Sequence, residues 1–572
     1  MHKRLQLVRP LAIAIVMTLI LAACSSAEPE ATGTTADDGQ STSSTTAAPT
    51  DSTVADTTTA TEPSVEKPVI VAALGDTVNI IEPHTFRSTA AYSVTDALYD
   101  PLLEQAFEEQ PDGLLLGSRE EHVGAGAESY EIVETDAGGL LATFNLREDA
   151  MFSDGTPVTA NDFKYTFDRT ILGPGYIGLL LPFIGIDSPD QIRVIDDYTL
   201  EIEAKVQSPL FERFMTFQVF GAMNSALLEE NATADDEWSF QYLGDKGAGA
   251  GVYALEAYNP DTEVVLVPNP SYWDLENVAN GGVTLRTVPD ANQRALLVQS
   301  GDIDLATGIA PQLLASLEDD ENVKIYSAPT TGVQYMGMNQ SIPPLDNVDV
   351  RRAIMAAVPY QALLDQVMFG YASPAAGVVT STMETHDSAI GAQYTTDLEK
   401  AAQYLEDSGV GEVNLELSVR ESNASDQQAA VLIQDSLRQV GINVEVSVLP
   451  SADFSERLNA GEMPLFIHDW YSWGEDPFYQ MRFLTTCGQF VNYVKWCNEE
   501  YDALVEQGTF SLDPAVRADV SSQAQQIFFD QAVWAPLWSA DRTVVTGKCV
   551  TGLDRDYTLV PGFKHVTKTD TC

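Results

Sequence analysis

Basic residues are scarce in this chain of 572 residues: 30 Lys and Arg stand against 84 Asp and Glu, a formal charge of −54. Such a surface repels phosphate backbones and anionic lipid, so nucleic acid is excluded as a partner. Spread over the body, the charge reads as a solvated surface suited to a salty habitat. Histidine is also rare, with six in all: His2 sits at the very start and the others are scattered. There is no His-Glu-x-x-His pair, no Cys-x-x-Cys and no Cys/His cluster, so no metal site is expected. No Gly-x-Ser-x-Gly and no Walker A lysine loop is present either, and no cofactor is expected. Glu475 and Asp476 form a carboxylate pair that a hydrolase could use, but adjacent side chains diverge on most backbones and no nucleophile accompanies them. The expectation is a protein that is not an enzyme. Gly247, Gly249 and Gly251 match a dinucleotide fingerprint only superficially and read as a tight turn. Fixed-period repeats are missing, and beyond the N-terminus no apolar run is long enough to cross a membrane.

The N-terminus is what is most plainly there. His2, Lys3, Arg4 and Arg9 precede an apolar core, Leu11 to Leu21, that is too short for a stable span and reads as a signal peptide. It ends in Leu21-Ala22-Ala23-Cys24, which resembles the lipobox of bacterial lipoproteins; an ordinary secretory signal is the alternative. The expected mature chain begins at a lipidated Cys24, since acyl chains on that residue would hold it at a membrane. Loss of residues 1–23 removes three positive charges and no negative one. Residues 24–67 are rich in Ser, Thr, Ala, Asp, Glu and Pro, and cannot bury enough apolar surface to offset their ordering entropy. As a tether they would reach roughly 35–40 Å. Four cysteines remain, at 487, 497, 549 and 572, an even number that suits disulfides in an oxidising exterior. Three pairings are possible, and closeness in sequence favours Cys487 with Cys497 and Cys549 with Cys572.

About 500 residues are left for the body, enough for two or three domains. Pro68 to Ala73 reads as a buried strand and Tyr92 to Leu103 as a helix. Leu141 to Leu146, Thr199 to Ala204 and Glu263 to Val267 read as strands. Asp154-Gly155-Thr156-Pro157 is a turn, and Thr159 to Asp162 a cap before a helix over Phe163 to Thr170. Between Thr396 and Leu449 the pattern is clearest. Thr396 and Glu399 form a capping-box pair, and Gly409 ends that helix. Leu415, Leu417 and Val419 then alternate as in a strand. Ala429, Leu432, Ile433, Leu437 and Val440 recur at helical spacing until Gly441, and Val444, Val446 and Val448 alternate again. This is a strand, helix, strand unit, and the region should be α/β.

Longer phrases carry a family likeness. Phe144-Asn145-Leu146-Arg147, then Phe152-Ser153-Asp154-Gly155-Thr156-Pro157-Val158-Thr159-Ala160-Asn161-Asp162-Phe163, resembles the signature of family 5 extracellular solute-binding proteins of peptide and nickel importers. Matches continue in order at Asn269-Pro270-Ser271-Tyr272-Trp273, at Gln299-Ser300-Gly301-Asp302-Ile303-Asp304, and from Met338-Asn339 to Ala353-Ile354. Within the family the likeness is to dipeptide-binding proteins, through Cys487 and Asn492-Tyr493-Val494-Lys495-Trp496-Cys497, which looks like their disulfide-closed loop.

The resemblance implies a periplasmic-binding-protein-like α/β fold of the cluster C type, with two hinged lobes and an extra inserted domain. Lobe I would take residues 66–100, 240–338 and 536–572, the inserted domain 101–239, and lobe II 339–535. It implies a monomeric, extracytoplasmic lipoprotein on the outer face of the cytoplasmic membrane, in periplasm or cell-wall space. That protein would capture di- or oligopeptides between the lobes and deliver them to the permease of an ABC transporter. The same role with a sugar-like, opine-like or metal-chelate ligand is the alternative. By the resemblance Arg420 falls on the arginine that holds the ligand carboxylate, a role that suits its planar donor fork. The stretch Asp469-Trp470-Tyr471-Ser472-Trp473-Gly474-Glu475-Asp476-Pro477 departs from the family pattern, because Trp473 stands where an ammonium-binding aspartate is expected. Glu475 or Asp469 could take that role, or Trp473 could offer a cation-facing ring. The candidate ligand-binding residues are therefore Arg420, Trp470, Tyr471, Trp473, Glu475 and Asp476, with the aromatic trio also readable as core or as a stacking platform for a sugar-like ligand.

Overall fold

The computed structural model describes residues 67–569, apart from 87, 375 and 556–560. The signal segment, Cys24, the tether up to residue 66 and Cys572 lie outside the described residues.

Two large sheets dominate the body. The first has seven strands in the order Val323–Ala328, Arg542–Gly547, Leu305–Thr307, Ile70–Leu74, Val283–Thr287, Glu263–Pro268 and Tyr253–Asn259. Ile70–Leu74 runs parallel to both of its neighbours and is buried along most of its length, which is why its sequence is continuously apolar rather than alternating. The following helix spans Thr89–Leu98, with the Ser88 hydroxyl accepting from the Ala91 amide at 3.2 Å. It starts and stops earlier than the sequence pattern suggests. Asp100 precedes Pro101, which disfavours the α conformation there, and Leu103 opens a strand instead. Gly249 and Gly251 are not a free-standing turn: they lie flat against the end of this helix. A Cβ on Gly249 would come within 2.0 Å of the Leu98 carbonyl oxygen, which accepts from the Gly251 amide at 2.9 Å.

A four-stranded antiparallel sheet (Ala127–Glu134, Leu140–Leu146, Thr199–Ala204, Ile192–Asp196) and a three-stranded one (Leu103–Glu109, Leu115–Gly124, Asp554–Arg555) sit between the early strands of the chain. The helix Ala160–Leu172 buries Phe163 and Phe167 here. Its start is fixed by Asp162, whose carboxylate accepts from the Thr159 amide at 2.9 Å and the Thr159 hydroxyl at 2.8 Å.

The second large sheet has six strands in the order Ala372–Pro374, Trp534–Ala540, Val333–Met338, Leu465–Trp470, Val413–Arg420 and Ile442–Leu449. The last two pair in parallel along their whole length, joined by the helix Ala424–Gln439, as the alternating pattern predicts. Gly441 closes that helix at φ 88°, a conformation open to glycine without penalty. The expected capping box at Thr396 is replaced by a cap at Asp397, whose carboxylate accepts from the Lys400 amide at 2.9 Å. Thr396 instead donates its hydroxyl to the Val358 carbonyl at 2.6 Å, so a tertiary bond takes the side chain that local pattern assigned to the cap.

The chain crosses between the large sheets twice, at residues 329–332 and at Asp541. Strands Val333–Met338 and Trp534–Ala540 both belong to the six-stranded sheet. The crossings are tied to each other: the Thr330 hydroxyl donates to the Ala540 carbonyl at 2.8 Å and Ser539 donates to the Thr330 carbonyl at 3.2 Å. Cys487 and Cys497 form a disulfide with their Cα atoms 4.5 Å apart. Cys549 is disulfide-bonded as well, and its expected partner Cys572 lies outside the described residues. Among the described residues no helix is long and apolar enough to cross a membrane.

Candidate ligand-binding cleft

The two crossings leave a cleft of about 470 Å³ between the large sheets. From the seven-stranded side it is lined by Asp76, just past the end of strand Ile70–Leu74, by Thr89 and Ser93 of the first helix, and by Arg542. The other wall carries Gln334, Asn423, Asp426, Asp469, Tyr471 and Trp538. These residues cluster at strand ends and helix starts, where the backbone of an α/β sheet turns and side chains can point into a crevice.

Asp426 is the unusual member. It is fully buried, in the first turn of the helix Ala424–Gln439, and one carboxylate oxygen accepts from the Gln334 amide at 2.6 Å. The other, Oδ2, is buried with no hydrogen-bond partner. Burial, and then the neighbouring Asp469, push its pKa up to about 8 against the opposing pull of Arg420 and the Gln334 hydrogen bond. Arg542 is the cation of the opposite wall. Its guanidinium lies 4.7 Å from the Tyr471 ring centroid, its Nε is buried without a hydrogen-bond partner, and it makes no ion pair among the described residues. Tyr471 in turn packs on the bare backbone of Gly332, where a Cβ would lie 2.5 Å from the ring. Among the described residues no group of three or more His, Cys, Asp or Glu could hold a metal ion.

Of the six candidate ligand-binding residues Tyr471 alone lines this cleft, 38% exposed, joined by Asp469, which was weighed as an ammonium acceptor. Arg420 stands directly behind the wall. It pairs with Asp469 at 3.3 Å and lies 4.4 Å from the Phe454 ring centroid, so it supports a lining carboxylate. Trp470 packs on Phe483, with ring centroids 6.0 Å apart, and Trp473 stacks on Phe86 at 5.7 Å while meeting Tyr92 and Tyr176 edge-on or tilted. Both tryptophans are contacts between structural elements. Glu475 is committed to Arg119 at 2.7 Å and accepts from the Thr331 hydroxyl at 3.2 Å. Asp476 caps the helix Pro477–Thr485 through the Phe478 and Tyr479 amides at 2.9 and 3.0 Å, and forms a buried ion pair with Arg517. Neither offers a free carboxylate, because a local cation already occupies it; of the two acids weighed for the ammonium, Asp469 is the one at the cleft. Asp426 and Arg542 were missed. Asp426 reads as an ordinary first-turn acid, and Arg542 carries only the signal of sitting where two strand patterns meet.

A family model described as bacterial extracellular solute-binding proteins, family 5 Middle, matches residues 121–492. The chain belongs to this family. A curated relative, the probable D,D-dipeptide-binding periplasmic protein DdpA of Escherichia coli strain K12, is 29% identical over 417 residues, covering 72% of this chain and 78% of that protein. The oligopeptide-binding protein OppA of Bacillus subtilis strain 168 is 25% identical over 461 residues, 76% of this chain and 82% of that protein. Among solved structures, the periplasmic binding protein DppA of Helicobacter pylori, in complex with the peptide STSA, superposes with a TM-score of 0.73 at 21% identity, covering 87% of this chain and 98% of that one. That likeness establishes the fold: this family 5 chain has the two-lobed α/β architecture of periplasmic binding proteins, and the cleft lies between its lobes.

Proposed function

We propose that this family 5 chain captures peptides in the interlobe cleft, outside the cytoplasmic membrane, and presents them to the permease of an ABC importer. Relatives named for dipeptide, oligopeptide and glutathione binding support the ligand class. The observation that carries the reading is the cleft itself: about 470 Å³, within the range of small-ligand sites, with Asp426 and Asp469 on one wall and, on the other beside Asp76, the Arg542 guanidinium, which has no ion pair among the described residues. A peptide carries the complementary pair, an ammonium and a carboxylate. Arg542 holds the carboxylate as a charge-assisted fork, Asp469 receives the ammonium, and Arg420 fixes Asp469 in place.

The hinge is the pair of crossings at 329–332 and 541, and closure over the ligand is what the permease reads. The bodies that move are those the family likeness implies, residues 66–100, 240–338 and 536–572 against 339–535, with 101–239 inserted. We take strands Val333–Met338 and Trp534–Ala540, which belong to the six-stranded sheet, to move with the second body, which shifts the implied bounds to the two crossings. The protein binds and releases without chemical change to its ligand, works as a monomer and is tethered by lipid on Cys24. Of the aromatic trio read as a platform for a sugar-like or opine-like ligand, Trp470 and Trp473 stand outside the lining residues and Tyr471 lines the cleft beside Trp538. Calorimetry with di- to pentapeptides tests the reading: saturable binding is expected, weakened at least tenfold by Arg542→Ala with no loss of thermal stability. Absence of binding to every peptide length would end it.

A further inference from the structure

The cleft holds more carboxyl groups than the single ammonium of a simple peptide can pair with. Asp76, Asp426, Asp469 and Asp541 line it, against Arg542 alone. In a chain of net charge −54, exposed acids need no special account. Asp426 does, because it is fully buried and an ionised carboxylate taken out of water is unfavourable unless something compensates. Gln334 supplies one neutral hydrogen bond, Arg420 reaches Asp469 rather than Asp426, and Oδ2 is left without a partner. A hydrophobic residue would fill the position at lower cost if packing were its purpose.

We infer that Asp426, beside the Asp469 that receives the peptide's amino terminus, forms a subsite for a further cationic nitrogen, so that the preferred ligands carry net positive charge, as peptides with lysine or arginine side chains do. The inference rests on the proposed peptide-capture role. An ammonium or guanidinium entering the cleft supplies the donor that Oδ2 lacks, and it makes a charge-assisted bond in a water-poor setting. The protonation state fits. Burial and Asp469 hold Asp426 mostly protonated near pH 7, and a cation beside it draws its pKa down, so binding expels a proton. The charged neighbours that set this balance are Asp469 and Arg420 from the adjoining strands, while Asp76, Asp541 and Arg542 line the cleft as well; His468, pushed down to about 4 by burial and then by Arg420 against the pull of Asp469, stays neutral.

The test uses the full mature chain and three probes: Ala-Lys-Ala, the same peptide with norleucine for lysine, and 1,5-diaminopentane. Wild-type protein is expected to bind the lysine peptide at least tenfold more tightly than the norleucine peptide. Calorimetry in buffers of different ionisation enthalpy at pH 7 should also show release of close to one proton, and only for the lysine peptide. In Asp426→Asn the lysine preference falls below about threefold and proton release disappears. Equal affinity for the two peptides in wild type overturns this inference while leaving peptide capture standing. Binding of the diamine without either peptide supports the cation subsite and overturns peptide capture, and binding of none of the three overturns both.

Discussion

Two parts of the interlobe boundary are built from similar residues and do opposite things. The loop from Trp473 to Asp476 carries an aromatic ring and two carboxylates, and every one of them is already satisfied: Trp473 by Phe86, Tyr92 and Tyr176, Glu475 by Arg119, Asp476 by Arg517 and two helix amides. The cleft wall brings Tyr471, Asp426 and Asp469, with Arg542 opposite, and leaves Asp426 Oδ2 and Arg542 Nε unpartnered. Residue type does not separate a joint from a binding surface. The difference is whether the hydrogen-bonding and charge capacity has been used up inside the protein.

The comparison breaks most visibly at Asp476. Replacing it with Ala leaves Arg517 buried beside the partly exposed Glu384 and removes a helix cap, so a loss of roughly 3–5 kcal/mol in unfolding free energy is expected. Denaturant titration measures it. A loss below 1 kcal/mol would mean that the loop is not the satisfied structure its geometry describes.

At the cleft wall the same kind of change should act in the other direction. Asp426 has a folded-state pKa raised to about 8, so ionisation is harder in the native state than in the unfolded chain. Well below the unfolded carboxyl's value of about 3.9 both states hold the proton and the group is neutral in its effect. As pH climbs through the unfolded value toward 8, the unfolded state gains by ionising first and the native state loses ground. Asp426→Asn should therefore stabilise the ligand-free protein by about 1–3 kcal/mol at pH 8, with the gain vanishing well below about pH 4. A pH-independent difference would remove Asp426 from its place as the strained member of the wall.

These opposite expectations also mark how far sequence carries. The alternation of Leu415, Leu417 and Val419, the helical spacing to Leu437 and the stop at Gly441 make the parallel strand pair of the second lobe readable, because each signal is local. Thr396 and the helix after Ser88 were misplaced where a nonlocal bond or a neighbouring proline decided the boundary. The site was less legible still. Arg420 is correctly at the exit of its strand, yet whether it faces ligand or a carboxylate depends on Asp469, 49 residues away. Glu475 meets Arg119 from a separate sheet, 356 residues earlier in the chain. Burial of Asp426 and the free edge of Arg542 are products of the two crossings between sheets, and no spacing along the chain encodes them.

The smallest expected effect sharpens the contrast from the joint's side. Glu475→Gln keeps an acceptor for Arg119 and turns an amide donor toward the Thr331 hydroxyl, which can accept in its place, and the Arg119 side chain is 36% exposed, so water screens what the ion pair contributes. The change should alter stability by less than about 1 kcal/mol. Peptide affinity should move less than threefold, because Glu475 faces Arg119 rather than the cleft. Calorimetry on this variant is therefore a direct test of the boundary between the two regions. Loss of peptide binding with stability intact would put the ammonium site back in the 473–476 loop, and the cleft wall would become a bystander.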